Sequence, residues 1–178
     1  MILIVSTCKD PLSEYEFVKP LERIVQKCCE EYTVVSYREI KEGVWDKIII
    51  TGTALKDFDY IKYIKNFLWL QESYIPVLGI CAGSQIITKI FGGKLEDYLI
   101  IGRKKVEIMK ENPLVPMEKI YSYFITSKVP RLNKRFEIIG KLNGIPVFFS
   151  VKYTRIYGVV FHPEVFNENL IINFVKRL

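Results

Sequence analysis

The sequence has one histidine, four cysteines and three glutamines among its 178 residues. With a single imidazole, any mechanism that pairs cysteine with histidine must use His162. Cys8, Cys28, Cys29 and Cys81 follow neither disulfide-framework nor metal-ligand spacing. That predicts a reducing, cytoplasmic setting and no zinc or other metal site. No apolar run approaches the roughly 18 residues needed to span a bilayer. The opening Met1–Val5 lacks a basic leader and a long apolar core, so it predicts a buried strand rather than a signal peptide. No Walker-type phosphate loop is present, which leaves nucleotide hydrolysis without apparatus and gives no sign of a cofactor. Repeats, low-complexity tracts and Pro/Gly/Ser linkers are also missing. A single domain over residues 1–178 is the expectation.

What is present fits a folded core. The chain is 49% hydrophobic, too apolar for disorder. At this length a domain buries roughly 70% of the surface its unfolded chain exposes, without disulfide or metal. The scarcity of Gln and His beside abundant Ile, Lys and Glu leans towards a thermophilic source. Lys and Arg total 26 against 20 Asp and Glu, a net charge of +6. Basic residues gather at Arg103-Lys104-Lys105 and between Lys128 and Arg135. Neither run has interleaved aromatics for base stacking, so a solvated basic surface is favoured over a nucleic-acid interface.

Patterning gives an alternating first half. Ile2–Ser6, Thr33–Tyr37, Lys47–Ile50 and Pro76–Ile80 read as strands, the continuous apolar ones covered on both faces. Thr7–Glu16 reads as a loop. Phe17, Leu21, Ile24, Val25, Cys28 and Tyr32 fall on one helical face, with Pro20 in the first turn. Asp59 could cap a helix burying Ile61, Ile64 and Leu68. A helix from about Gly83 to Phe91 ends at Gly92-Gly93. The second half predicts strands at 94–110, 119–124, 136–142, 146–151 and 155–161, with an Asn143-Gly144 hairpin turn. A final helix carries Ile171, Phe174, Val175 and Leu178. The fold class expected is α/β: a flavodoxin-like three-layer sandwich, mostly parallel, with an antiparallel section in the second half.

In such sheets chemistry sits beyond the carboxyl ends of the strands. Four places qualify: Ser6-Thr7-Cys8, Thr51-Gly52-Thr53, Cys81-Ala82-Gly83 and His162-Pro163-Glu164. Gly79-Ile80-Cys81-Ala82-Gly83 is a nucleophile elbow with Cys in place of Ser. The flanking glycines allow a sharp turn, and a helix N-terminus favours an anionic sulfur. The Ala82 N–H can help stabilise an oxyanion, and Gly52 can supply a second donor. Glu164, two residues after His162, can accept from the imidazole and fix its tautomer. The competing structural readings are a small core cysteine at Cys81, a helix cap at Glu164 and an ordinary turn glycine at Gly52. Cys8 reads as a loop or core residue.

These residues resemble the class I (triad) glutamine amidotransferases, whose signature is Gly-x-Cys-x-Gly-x-Gln followed far downstream by Phe-His-Pro-Glu. Here those blocks are Gly79–Gln85 and Phe161–Glu164, and the likeness covers nearly the whole chain. The stretch from Arg155 to Val165 is most similar to the glutaminase subunits of GMP synthases; anthranilate synthase component II is close in pattern. Three positions depart from the family: Thr51-Gly52-Thr53 replaces Gly-Gly-Pro, Val160 stands where Gln is common, and Phe124-Ile125-Thr126-Ser127 lacks a Ser-His pair. The resemblance implies hydrolysis of L-glutamine to glutamate and ammonia through a γ-glutamyl thioester on Cys81. His162 would shuttle protons, Glu164 would support it, Gly52 and Ala82 would bind the oxyanion, and Gln85 with Gly52 would contact substrate. It also implies that the ammonia acceptor is a separate synthase subunit, because no ATP- or acceptor-binding region is left in 178 residues. Two alternatives stand beside it. One is a Cys–His hydrolase of another γ-glutamyl compound, which the departures favour. The other is a non-enzymatic binding scaffold.

Overall fold

The computed structural model describes residues 1–178. In chain order it runs β1 (Ile2–Ser6), α1 (Glu14–Phe17), α2 (Lys19–Lys27), β2 (Tyr32–Ser36), β3 (Lys47–Ile50), 3-10 turns over Asp59–Gln71, β4 (Val77–Ile80) and α3 (Ala82–Ile90). It continues through β5 (Lys94–Ile108), β6 (Lys119–Arg131), β7 (Phe136–Leu142), β8 (Ile145–Val151) and β9 (Ile156–Val159) to α4 (Glu168–Arg177). All nine strands form one sheet in the order β2-β1-β3-β4-β9-β8-β7-β5-β6. From β2 to β9 the pairings are parallel, and from β9 to β6 they are antiparallel.

Each central strand feeds two cores. Ile2 and Ile4 of β1 face α2 and α4, packing with Leu21, Val25, Ile171 and Phe174. Leu3 and Val5 face the other way, with Ile86, Ile87 and the 3-10 segment's Tyr60, Phe67 and Leu70. A strand covered on both sides has no polar face, which is why these read as unbroken apolar runs. No helix is long and apolar enough to cross a membrane.

Several local expectations shift. Tyr32 does not continue the α2 face; it opens β2, because α2 ends at Lys27 and Cys29 turns the chain at φ 61°. The loop expected after β1 contains a 3-10 turn at Pro11–Ser13 and the short α1. Asp59 does not cap a helix. Its carboxylate instead accepts from Tyr37 Oη (2.5 Å), Arg38 (2.9 Å) and Lys62 (2.8 Å). Those donors hold the carboxyl well below the usual carboxylate range, the Lys62 hydrogen bond contributing most. The segment that follows winds at three residues per turn, so Tyr60, Phe67 and Leu70 point inward and Leu68 is exposed. Asn143 (φ 49°) and Gly144 (φ 83°) form the two-residue turn between β7 and β8.

The largest difference is β6, which runs on past Phe124 to Arg131. It lies last in the sheet, yet the sheet curls so that it meets the segment after β9. The His162 N–H donates to the Tyr123 carbonyl (2.8 Å), and Asn167 Nδ2 donates to Ser122 Oγ (3.0 Å). The curl brings β6 over the carboxyl ends of the parallel strands. It also supplies aromatics that the basic run lacks in sequence: the Arg103 guanidinium lies 4.3 Å from the Tyr121 ring and 4.8 Å from Phe166.

Candidate active site

The four strand ends singled out in the sequence converge. β4 stops at Ile80, and Cys81 follows at φ 46°, ψ −100°, a conformation rarely tolerated outside glycine. Its N–H is tied to the Val159 carbonyl (2.8 Å) and its carbonyl accepts from the Gln85 N–H (3.1 Å) and Ser84 Oγ (2.7 Å). The strained torsion therefore sits on the cysteine, not on the flanking glycines as a sharp-turn reading suggests. Those glycines serve close packing instead. A Cβ on Gly83 would meet the Ile50 carbonyl oxygen at 2.3 Å, and one on Gly79 would meet Gly83 backbone at 2.6 Å. α3 can only start directly over β3 and β4 because both side chains are missing. Ala82 is its first residue, so its N–H has no intrahelical acceptor.

His162 and Glu164 are almost fully enclosed, with side-chain exposures of 1% and 0%. Nδ1 and Glu164 Oε1 are 2.7 Å apart. With Nδ1–H donating to the carboxylate, Nε2 is the nitrogen left for chemistry, and it has no hydrogen-bonded protein partner. Burial opposes a charged ring, but the Glu164 carboxylate and the neighbouring Cys81 sulfur outweigh it. The His162 pKa therefore lies well above the ordinary histidine value. The Phe17 ring closes one side at 5.5 Å. The Cys81 thiol points to the Ile125 carbonyl of β6 at 3.7 Å.

Gly52 occupies the remaining side. A Cβ there would lie 2.5 Å from His162 Cε1 and 3.4 Å from Cys81 Cβ. Only glycine lets the turn after β3 approach both groups. Gln85 is buried in the first turn of α3 and accepts from Tyr60 Oη (2.5 Å). Cys8 is buried beneath the Gly52 turn, its Sγ 3.8 Å from the Gly52 carbonyl, and burial pushes its thiol up to about 11. A buried thiol held neutral is a packing group, as expected of Cys8.

A nucleophile in an elbow, an imidazole fixed by a buried carboxylate and a free N–H from a helix start suit acyl transfer through a covalent thioester. The sequence family "Glutamine amidotransferase class-I" matches residues 12–176. The chain belongs to the class-I glutamine amidotransferases. It is 37% identical over 159 residues to the GMP synthase [glutamine-hydrolyzing] of Staphylococcus aureus (strain JH9), covering 81% of this chain and 30% of that protein. The chain thus spans under a third of the length of that relative. Among solved structures, a GMP synthase-subunit protein of Thermoplasma acidophilum superposes with a TM-score of 0.83 at 19% identity, covering 98% of this chain and 92% of that one. A glutamine amidotransferase from Thermotoga maritima gives 0.73 at 15% identity, over 99% and 90%. These two establish the shared fold.

Two of the three departures from the family pattern border the site, the turn at Thr51–Thr53 and the β6 stretch, whereas Val160 is buried in the core. Ile125, Thr126 and Ser127 of β6 line a narrow cavity over Cys81, facing Thr53, Phe58 and Gln85. Phe124 turns away into the core against Phe161. The cavity holds no more than about one water, so a larger amide enters only if its walls move apart. One wall, residues 53–59, is stitched by Asp57, which accepts from the Lys9 N–H (2.8 Å), Thr53 Oγ1 (2.8 Å) and the Asp59 N–H (3.1 Å). Across the mouth, Lys128 Nζ of β6 lies 5.0 Å from the Phe58 ring. Sequence reasoning missed Phe17, Tyr60 and Asp57. Phe17 and Tyr60 meet partners distant in the chain, as Asp57 does at Lys9, and no local pattern announces these contacts.

Proposed function

We propose that the chain hydrolyses L-glutamine to glutamate and ammonia, with Cys81, His162 and Glu164 as the reacting unit. The observation that carries the reading is the strained Cys81 elbow beside the buried His162–Glu164 pair. The raised His162 pKa favours a proton on Nε2, held ready for the leaving nitrogen. Cys81 Sγ attacks the side-chain carbonyl carbon, and the carbonyl oxygen becomes an oxyanion bound by the Gly52 and Ala82 N–H groups. The C–N bond breaks as His162 Nε2 passes its proton to the leaving nitrogen, which departs as ammonia. A γ-glutamyl thioester remains. Water then attacks it, His162 Nε2 takes the water's proton and keeps it as the C–S bond breaks, and glutamate leaves with the ring returned to its starting state. Glu164 holds the ring's orientation and balances its charge throughout. Gln85, fixed by Tyr60, lies on the wall where the substrate's carboxamide chain would run.

The ammonia passes to a synthase on a separate polypeptide, in a GMP synthase-like reaction within the cytoplasm. Support for a synthase comes from the name of the 37%-identical staphylococcal relative, and support for a separate subunit from the name of the Thermoplasma acidophilum protein, which is named as a subunit and is matched over 92% of its length. The closed cavity favours a resting state that opens when glutamine and partner are engaged. The test is glutamate release from L-glutamine by wild type and Cys81→Ser, with and without a synthase partner. Release that depends on Cys81 is expected. Inert glutamine alongside Cys81-dependent turnover of another γ-glutamyl amide would replace this reading with the alternative hydrolase.

A further inference from the structure

The family's usual Gly-Gly-Pro turn is stiffened by proline, whose φ is fixed. Thr51-Gly52-Thr53 has no proline, yet Gly52 must hold its place against His162 and Cys81. We propose that Thr7 is a positioning residue that replaces that stiffness: its hydroxyl clamps the turn so that the Gly52 N–H faces the developing oxyanion. The inference rests on the glutaminase reading above.

Thr7 follows β1 and is fully buried. Its Oγ1 lies 3.0 Å from the Thr51 carbonyl oxygen and 2.9 Å from that of Gly52. Its N–H donates to Thr51 Oγ1 (3.2 Å), and Thr51 Oγ1 donates in turn to the Gly52 carbonyl (2.9 Å). One hydroxyl carries one hydrogen, so Thr7 shares its proton between two successive carbonyls while Thr51 supplies the second donor. The Thr51 carbonyl is also held by the Gly83 N–H (3.1 Å). In a trans peptide the N–H points opposite to the C=O of the same unit. Fixing the Thr51 carbonyl towards Thr7 and Gly83 therefore fixes the Gly52 N–H away from them. That N–H has no backbone acceptor, and its Cα abuts Cys81 and His162. The same hydroxyls keep the Gly52 carbonyl, which would repel an oxyanion, turned to the Thr7 side.

The experiment compares wild type, Thr7→Ser and Thr7→Val for kcat and KM on L-glutamine, together with ¹⁵N relaxation of the Gly52 amide. Val nearly matches the shape but sets a methyl against two carbonyls. The expected result is a kcat lowered about 10- to 100-fold in Thr7→Val, from partial loss of one oxyanion donor. KM should stay within about threefold and Thr7→Ser should run near wild type, because the chemistry and not the substrate's seat depends on the clamp. The Gly52 amide should broaden in Thr7→Val alone. A residue needed only for packing would lower stability without this split and without rescue by Ser. Full kcat in a folded Thr7→Val, or Ser as impaired as Val, overturns the proposal. Should wild type leave glutamine untouched even with a synthase partner present, the glutaminase reading fails. The clamp is then decided by the Gly52 signal, and a line unchanged in Thr7→Val overturns it.

Discussion

β1 and β4 are buried along their whole lengths, whereas β5 shows ten of its fifteen residues to solvent. The central parallel strands lie between two helical layers, so nearly every side chain of β1, β3 and β4 is buried, while the edge strand β2 is half-buried. The antiparallel ribbon of β5 and β6 is covered on one face only. Groups that must be positioned to fractions of an ångström, Cys81, Gly52 and Thr7, stand on the rigid half. The ribbon contributes the Ile125–Ser127 wall over Cys81 and a basic outer surface. His162 and Glu164 join the halves, since β9 is parallel to β4 and antiparallel to β8. Positioning and cover are thus assigned to different parts of one sheet.

Substitutions on the two sides should separate these roles. The largest effect is expected at Gly52→Ala. Its Cβ would sit 2.5 Å from His162 Cε1, so the ring must shift. Glutamine turnover should fall by about 10³-fold or more, read as kcat/KM of the purified variant. Retained turnover would show that the Gly52 approach is incidental.

Glu164→Gln comes next, with kcat lower by about 10²- to 10⁴-fold. It also carries a pH signature. The folded His162 pKa is raised, so the stabilisation from its pairing is complete below the unfolded value of about 6.5. It is lost as pH rises through the folded pKa. Denaturation from pH 6 upward should show wild type losing stability while Glu164→Gln stays flatter. In pH–rate profiles the basic limb should lie well above 6.5 in wild type and move down in the variant.

Gly83→Ala tests the packing of the elbow without touching a reacting group. Its Cβ would meet backbone at Ile50, which cannot swing aside, so a loss of about 1–3 kcal/mol is expected in chemical denaturation. Gly102→Ala on β5 is the matched control. Gly102 has φ 90° with open space around it, so the loss should be about 1 kcal/mol of backbone strain, with turnover unchanged. The smallest effect is expected for Arg103→Ala, which gives up the stack on Tyr121 and Phe166, worth about 0.5–1 kcal/mol. A large loss of turnover from either ribbon change would break the division between the halves.

Much of this was legible in the residues. Ile2–Ser6 and Lys47–Ile50 declare themselves as buried strands, and the Gly79–Gly83 elbow and His162-Pro163-Glu164 point to strand ends that the fold brings together. These signals are local: an apolar run, a glycine pair, a single histidine. What was not legible depends on the curl of the sheet. Nothing near Lys119–Arg131 in sequence tells that this edge strand returns to accept the His162 N–H and wall the cavity. Asp59 was misassigned because a helix cap and a three-partner polar cluster use the same residue type, and only the tertiary neighbours choose between them. Thr7 stood at a flagged strand end, but its role requires knowing that Thr51 and Gly52 lie against it.

On the proposed mechanism Cys81, activated by His162, forms a covalent γ-glutamyl intermediate. Intact-mass analysis of the protein quenched in acid during glutamine turnover, followed by peptide mapping, tests it directly. A γ-glutamyl adduct on Cys81 is expected in wild type and none in Cys81→Ser. An adduct on Cys8, Cys28 or Cys29, or glutamate release undiminished in Cys81→Ser, would contradict it.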